Sequence, residues 1–251
     1  VTGTVNITPK EVSITGNQIS KVYGTTDPAL TGTVSGLVGE DSLAITYSRA
    51  AGENAGTYEI NAEYTENTNY VVTVTKGNFE ITKATYDMSG VEFADSTVTY
   101  DGTAKSLAIA GTLPSGVEVS YTNNGHVNAG EYTVTASFTG NENYNAIDNK
   151  TAILTINKAV VTVKADDKTK VYGTTDPEYT STVTGLVGED SLDISYSRVE
   201  GDNAGTYAIT ASVAADENYT ITTETGSLAI TKATYDMSGV EFADSTVTYD
   251  G

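Results

Sequence analysis

The chain has no cysteine and no tryptophan, a single histidine, four prolines and few basic residues. Without cysteine there are no disulfides, thiolate nucleophiles, iron–sulfur clusters or thioester bonds. One histidine, His126, is too little for a zinc site, which needs several His or Cys ligands. Thirteen basic residues stand against 33 acidic ones, a net charge of −20. Such a surface lacks the lysine and arginine clusters that hold phosphate, so nucleic acid is a poor partner and an anionic membrane surface is disfavoured. No run is apolar enough to span a bilayer, and no signal peptide or lipidation motif is visible.

What is present is threonine, valine, glycine and 17 tyrosines. Thr, Val and Tyr suit a pleated, half-buried surface, so the composition points to an all-β fold.

The dominant feature is repetition. Lys83 to Gly102 reads KATYDMSGVEFADSTVTYDG, and Lys232 to Gly251 repeats it letter for letter, 149 residues on. The same offset carries Lys21–Pro28 (KVYGTTDP) onto Lys170–Pro177, and Gly36–Leu43 onto Gly185–Leu192. Asn-Ala-Gly-x-Tyr recurs three times, at Asn54–Tyr58, Asn128–Tyr132 and Asn203–Tyr207. Each is followed by an Asn-Tyr pair (69–70, 143–144, 218–219) and a closing Ile-x-Lys-Ala. The long period therefore splits into two related halves, type A with Tyr-Gly-Thr-Thr-Asp-Pro and type B with Tyr-Asp-Gly.

The expected organisation is a type A module at 8–82, a type B module at 83–157 and a second type A module at 158–231. Residues 1–7 read as the closing strand of a preceding module and 232–251 as the opening of a further type B module, a window on a longer array. Both end segments are expected to pack on adjacent modules or on a neighbouring molecule.

Behind each Asn-Ala-Gly, apolar and polar residues alternate: Tyr58, Ile60, Ala62, Tyr64; Tyr132, Val134, Ala136, Phe138; Tyr207, Ile209, Ala211, Val213. Period two marks a half-buried strand. Six or seven short strands per unit predict small Ig-like β-sandwich modules. A β-grasp-like module with a helical turn at 37–43 is the alternative. No Gly- or Ser-rich linker separates the units, which predicts a stiff, elongated rod.

The Lys-Val-Tyr-Gly-x-x-Asp-Pro opening, Asn-Ala-Gly-Thr-Tyr middle and Ile-Thr-Lys-Ala close resemble MBG-type repeats (YGX type) of bacterial extracellular proteins. The type B unit, with Tyr-Asp-Gly and Asn-Ala-Gly-Glu-Tyr, is similar to a related repeat of Gram-positive surface adhesins. The resemblance implies an extracellular, cell-surface location, anchored to the wall through a region outside this segment. It also implies a stalk or display role, with binding of host mucin glycans or a host surface protein as the alternative. No functional residues carry over from it.

Tyr58, Tyr132 and Tyr207 are expected to be structural, each a tyrosine corner with its hydroxyl on nearby backbone. The Tyr23–Pro28 loop and its copy at Tyr172 read as fixed turns, or as ligand-facing loops repeated along the rod. No cofactor is expected, Ca²⁺ being the one metal with candidate residues: Glu40, Asp41, Glu189 and Asp190, beside oxygen-rich loops at Glu53-Asn54, 141–143 and Asp202-Asn203. A Lys–Asn isopeptide bond would draw on Lys21 and Lys170, or on the junction residues Lys83, Lys158 and Lys232. His126 has no nucleophile-elbow motif to serve, and no convergent acid–base pair is visible, so no enzyme activity is expected.

Overall fold

A computed structural model describes residues 2–251, so Val1, the first residue of the 1–7 segment, lies outside the described residues. The described chain is all-β, with 18 strands and no helix. In the first type A module these are β1 (Lys10–Gly16), β2 (Ile19–Val22), β3 (Gly32–Ser35), β4 (Ile45–Arg49), β5 (Gly56–Tyr64), β6 (Tyr70–Thr75) and β7 (Gly77–Thr82). They form two sheets, ordered β3-β1-β6 and β2-β7-β5-β4. β1 pairs parallel with β6 and β2 parallel with β7, while β4, β5 and β7 pair antiparallel. Seven strands in sheets of three and four make an Ig-like sandwich. The β-grasp alternative fails, because residues 37–43 form a turn rather than a helix.

The alternation along β5 places Tyr58, Ile60, Ala62 and Tyr64 on the inner face, with Ile60 fully buried against Phe79 and Ile81 of β7. Burying each such side chain contributes about 1.5–3 kcal/mol, which is how a module this small holds a core. The first strand changes sheets between β1 and β2. There the backbone passes so close to β7 that a Cβ on Gly16 would lie 2.6 Å from the Gly77 nitrogen. Glycine is required at that crossing.

The second type A module repeats the plan with β12 (Ala159–Ala165), β13 (Lys168–Val171), β14 (Ser181–Thr184), β15 (Ile194–Arg198), β16 (Gly205–Val213), β17 (Tyr219–Glu224) and β18 (Gly226–Thr231). Its sheets are β14-β12-β17 and β13-β18-β16-β15. Val163, Ala165, Ile209, Ala211, Leu228 and Ile230 form the core between them.

The type B segment has four strands instead of six or seven: β8 (Ser96–Thr99), β9 (Glu118–Thr122), β10 (Gly130–Thr139) and β11 (Lys150–Asn157). β8 pairs parallel with β11, and β9 antiparallel with β10. Where type A has β1, type B makes only isolated bridges, Ala84 to Tyr144 and Glu92 to Ala110. The cause is local. The Asp87 carboxylate accepts the Ser89 N–H at 3.0 Å, and this Asx turn bends the backbone out of a strand.

Compact packing divides the chain into two units whose boundary runs through type B: one reaches to Ala94 and takes in Ala108–Thr122 and Val134–Ala152, and the other holds the rest. Residues 2–9 and 232–251 form no strand. Val5, Ile7, Tyr235 and Phe242 are all more than four-fifths exposed, so within the chain neither end segment packs on an adjacent module, and that arm of the expectation is corrected.

Candidate functional site

Two of the motifs shared by all units, Asn-Ala-Gly-x-Tyr and Asn-Tyr, meet at the contacts between successive modules. Within the first unit, the loop Asn54-Ala55 leads into β5 and meets the Asn143-Tyr144 pair of type B. The Ala55 N–H donates to Asn143 Oδ1 at 2.8 Å, and Asn143 Nδ2 donates to Asn54 Oδ1 at 3.1 Å. Tyr144 stacks on Tyr86 at 3.9 Å between ring centroids and takes the edge of Tyr23 at 5.6 Å. Asn143 is buried, so its amide is positioned by this contact rather than by solvent.

Within the second unit the same positions meet again. The Ala129 N–H donates to Asn218 Oδ1 at 2.8 Å, and Asn128 Nδ2 donates to Glu217 Oε1 at 2.8 Å. Tyr100 of the Tyr-Asp-Gly motif stands edge-on to Tyr219, again at 5.6 Å. This joint adds a charged element: Tyr100 and Tyr219 both donate to Asp190 Oδ2, at 2.9 and 2.6 Å. Burial and the bond to Asp190 push the Tyr219 phenol up to about 12, and the bond to Asp190 also raises that of Tyr100. One joint is thus sealed by three aromatic rings, the other by two phenols on one carboxylate.

Behind each type A loop stands an ionic brace. Asp27, from the Tyr-Gly-Thr-Thr-Asp-Pro turn, accepts Lys21 at 2.6 Å and Arg49 Nε at 2.5 Å. Arg49 then donates to the carbonyls of Ala50 and Gly52 and lies 4.8 Å from the centre of the Phe79 ring. Arg198 repeats this with Asp176, Val199 and Gly201. The Arg49 and Lys21 bonds hold the Asp27 carboxyl down at about 2. Arg198 and Lys170 hold Asp176 well below the usual carboxylate range.

The structure places the hydroxyls of Tyr58, Tyr132 and Tyr207 on the carbonyls of Asn54, Asn128 and Asn203, at 2.8 to 3.0 Å. Each tyrosine thereby pins the loop whose next N–H reaches, in two of the three cases, the following module. Gly52 has φ +146°, and a Cβ there would lie 2.2 Å from the Tyr58 ring. In type B, His126 instead stacks flat on Tyr132 at 3.6 Å, its Nε2 close to the Asn123 carbonyl.

The calcium candidates do not assemble. Among the described residues no group of three or more His, Cys, Asp or Glu could hold a metal ion. Asp41 and Asp190 accept tyrosine hydroxyls instead, while Glu40 and Glu189 face solvent. Nor is an isopeptide trio formed at Lys21 or Lys170, whose ammonium groups are tied to carboxylates. Sequence reasoning missed Asn143, Asn218, Arg49 and Arg198. The available signals were the recurrence of Asn-Tyr at a fixed distance from Asn-Ala-Gly, and the equivalent placement of the chain's two arginines.

Comparison with known proteins accords with this repeat pattern. The MBG domain (YGX type) matches residues 12–80 and 161–229, and a second MBG domain type matches residues 89–160. The chain belongs to the MBG domain family. No curated protein sequence matches it. Solved structures similar to this MBG chain include the human desmocollin-1 ectodomain (8% identity, 87% of this chain and 61% of that chain, TM-score 0.32). Human CDH23 EC21-23 gives 13% identity over 89% of this chain and 100% of that chain, with TM-score 0.28. The three N-terminal domains of the bacteriophage RB49 Hoc protein give 16% identity over 89% and 100%, with TM-score 0.26. Among the described residues, no helix is long and apolar enough to cross a membrane.

Proposed function

We propose that this MBG repeat region is a non-catalytic stalk of an extracellular, cell-surface adhesin of bacterial type, in which each module is a spacer and each joint a lock that limits swinging. The observation that carries the reading is the recurrence of one lock, an Asn-Ala N–H on the next module's Asn-Tyr amide, at both joints. Neighbouring domains joined by small interfaces move relative to one another by default. A directional hydrogen bond and an edge-on tyrosine pair at each joint oppose that motion, and the brace through Asp27 and Arg49 fixes the loop that makes the contact. The family membership supports the surface-protein context.

Small-angle scattering tests the spacer reading. An elongated particle is expected, whose longest dimension does not shrink with added salt. A compact profile, or one matching freely jointed modules, would overturn it.

A further inference from the structure

The first and last strand segments of a type A module run side by side and parallel. In the first module residues 10–22 pair with residues 70–82, from Lys10 with Tyr70 in β1 and β6 to Val22 with Thr82 in β2 and β7, the partner lying 60 positions on throughout. The two segments change sheets together, where the Gly16 backbone passes against Gly77. Backbone bonds extend the pairing at each end: the Lys10 N–H donates to the Asn69 carbonyl at 2.9 Å, and the Tyr23 N–H to the Thr82 carbonyl at 2.8 Å. The third module repeats the plan from Ala159 with Tyr219 to Val171 with Thr231.

This pairing decides how a module answers tension. Tension on the chain pulls the first segment by its N-terminal end and the last by its C-terminal end. In parallel neighbours those ends lie at opposite ends of the pair. The strands are then dragged lengthwise past each other, and every hydrogen bond between them is loaded at once. An antiparallel pair would be opened from one end, bond by bond.

Type B keeps only part of this ladder. Its β8 and β11 pair parallel over Ser96–Thr99 and Leu154–Asn157, and the Tyr100 N–H donates to the Asn157 carbonyl at 2.8 Å. On the ladder ahead of β8 only Ala84 is held, by a bridge to Tyr144. Thr85, Tyr86 and Met88, with residues 145–149, line an open cleft of about 320 Å³ where type A has paired strands. The offset also slips, from 60 positions (Ala84 to Tyr144) to 58 (Ser96 to Leu154), so the two segments no longer match residue for residue.

We infer that the type A modules are shear clamps that bear tension along the chain, and that type B, interleaved with them, yields first and lengthens to spare them. The inference rests on the stalk reading for the presence of a load, but each clamp belongs to its module alone.

The test is force spectroscopy on the full chain. The chain has no cysteine, so pairs of introduced cysteines are unique handles, and each one replaces an exposed residue. Thr8→Cys with Lys83→Cys loads the first module along its strands. Thr8→Cys with Thr68→Cys pulls the same two segments apart from their common N-terminal end. Lys83→Cys with Lys158→Cys loads type B, and Lys158→Cys with Lys232→Cys repeats the lengthwise loading on the third module. Unfolding under force reads the unfolding rate. The lifetime of the first module at a fixed force is expected to be at least roughly tenfold longer under lengthwise loading, because several hydrogen bonds must break in one step. Type B is expected to give way at a lower force than either type A module. Equal lifetimes in the two loading directions would overturn the clamp, and a type B that matches or outlasts type A would overturn its yielding role. An elongated scattering profile with equal lifetimes would leave the stalk reading standing without the clamp, and a compact profile with direction-dependent lifetimes would do the reverse.

Discussion

Replacing Asn143 with alanine isolates the lock from the rest of the fold. The variant leaves the half-buried Ala55 N–H without its acceptor and removes the bond from Asn143 Nδ2 to Asn54. An unsatisfied buried donor costs about 1–3 kcal/mol, and partial access of water to Ala55 puts this one at about 1–1.5 kcal/mol. The second bond is between partly solvated side chains and adds about 0.5 kcal/mol. The expected loss of local stability is therefore about 1.5–2 kcal/mol. Read by hydrogen exchange at the Ala55 amide, that is a fall in protection of roughly 10- to 30-fold. Asn69→Ala is the matched control: the same residue of the same motif, exposed in this chain. It should change local stability by less than about 0.5 kcal/mol. Asn143→Asp keeps an acceptor for Ala55 but loses the donor to Asn54, and should recover most of the protection. Equal effects of Asn143→Ala and Asn69→Ala, or an Ala55 amide that stays protected in Asn143→Ala, would refute the lock.

Four further outcomes are expected. Tyr58→Phe removes the hydroxyl bond to Asn54 and should lower the stability of the first module by about 0.5–1.5 kcal/mol in denaturant unfolding, as should Tyr207→Phe in the third. Gly52→Ala forces a side chain into the Tyr58 ring at φ +146° and should cost at least about 1–3 kcal/mol, with the Tyr58 ring resonances shifted. Phe79→Ala empties the centre of the first core and removes the ring under Arg49, for a loss of about 3–5 kcal/mol. The Asp27 carboxyl is depressed in the folded state, so its contribution is complete above the ordinary value near 3.8 and is lost as pH falls through about 2. Asp27→Asn should therefore be less stable than wild type at neutral pH, and the two should converge as the pH approaches about 2 in pH-dependent melting.

The repeats, the strand alternation and the structural tyrosines were legible because each is local. Tyr58 lies four residues from the carbonyl it bonds, and β5 shows its period in nine consecutive residues. The joints were not legible. Ala55 and Asn143 are 88 positions apart, and nothing in either motif says that the other is its partner. The brace was hidden for a similar reason: Asp27 could be read as a turn residue, but its role depends on Arg49, 22 positions away at the end of β4. The strand count in type B was overestimated because the Asx turn at Asp87 sits in a segment whose composition still looks like a strand.

The duplicated twenty residues separate what sequence decides from what context decides. In both copies the aspartate caps the turn, Asp87 to Ser89 and Asp236 to Ser238, and the valine N–H closes it on methionine at 3.1 Å. That much needs no partner. Burial does: Tyr86, Val91 and Tyr100 are 8%, 3% and 7% exposed, while their identical counterparts Tyr235, Val240 and Tyr249 are 94%, 52% and 92% exposed. The first copy has Tyr144 to stack on, β11 to pair with and Asp190 to receive its phenol. Tyr100 draws its burial from the module that follows it. An MBG module of this chain is therefore completed at its edges by its neighbours. Local turn chemistry starts each module, and the joint finishes it, which ties stability and spacing to the same few contacts.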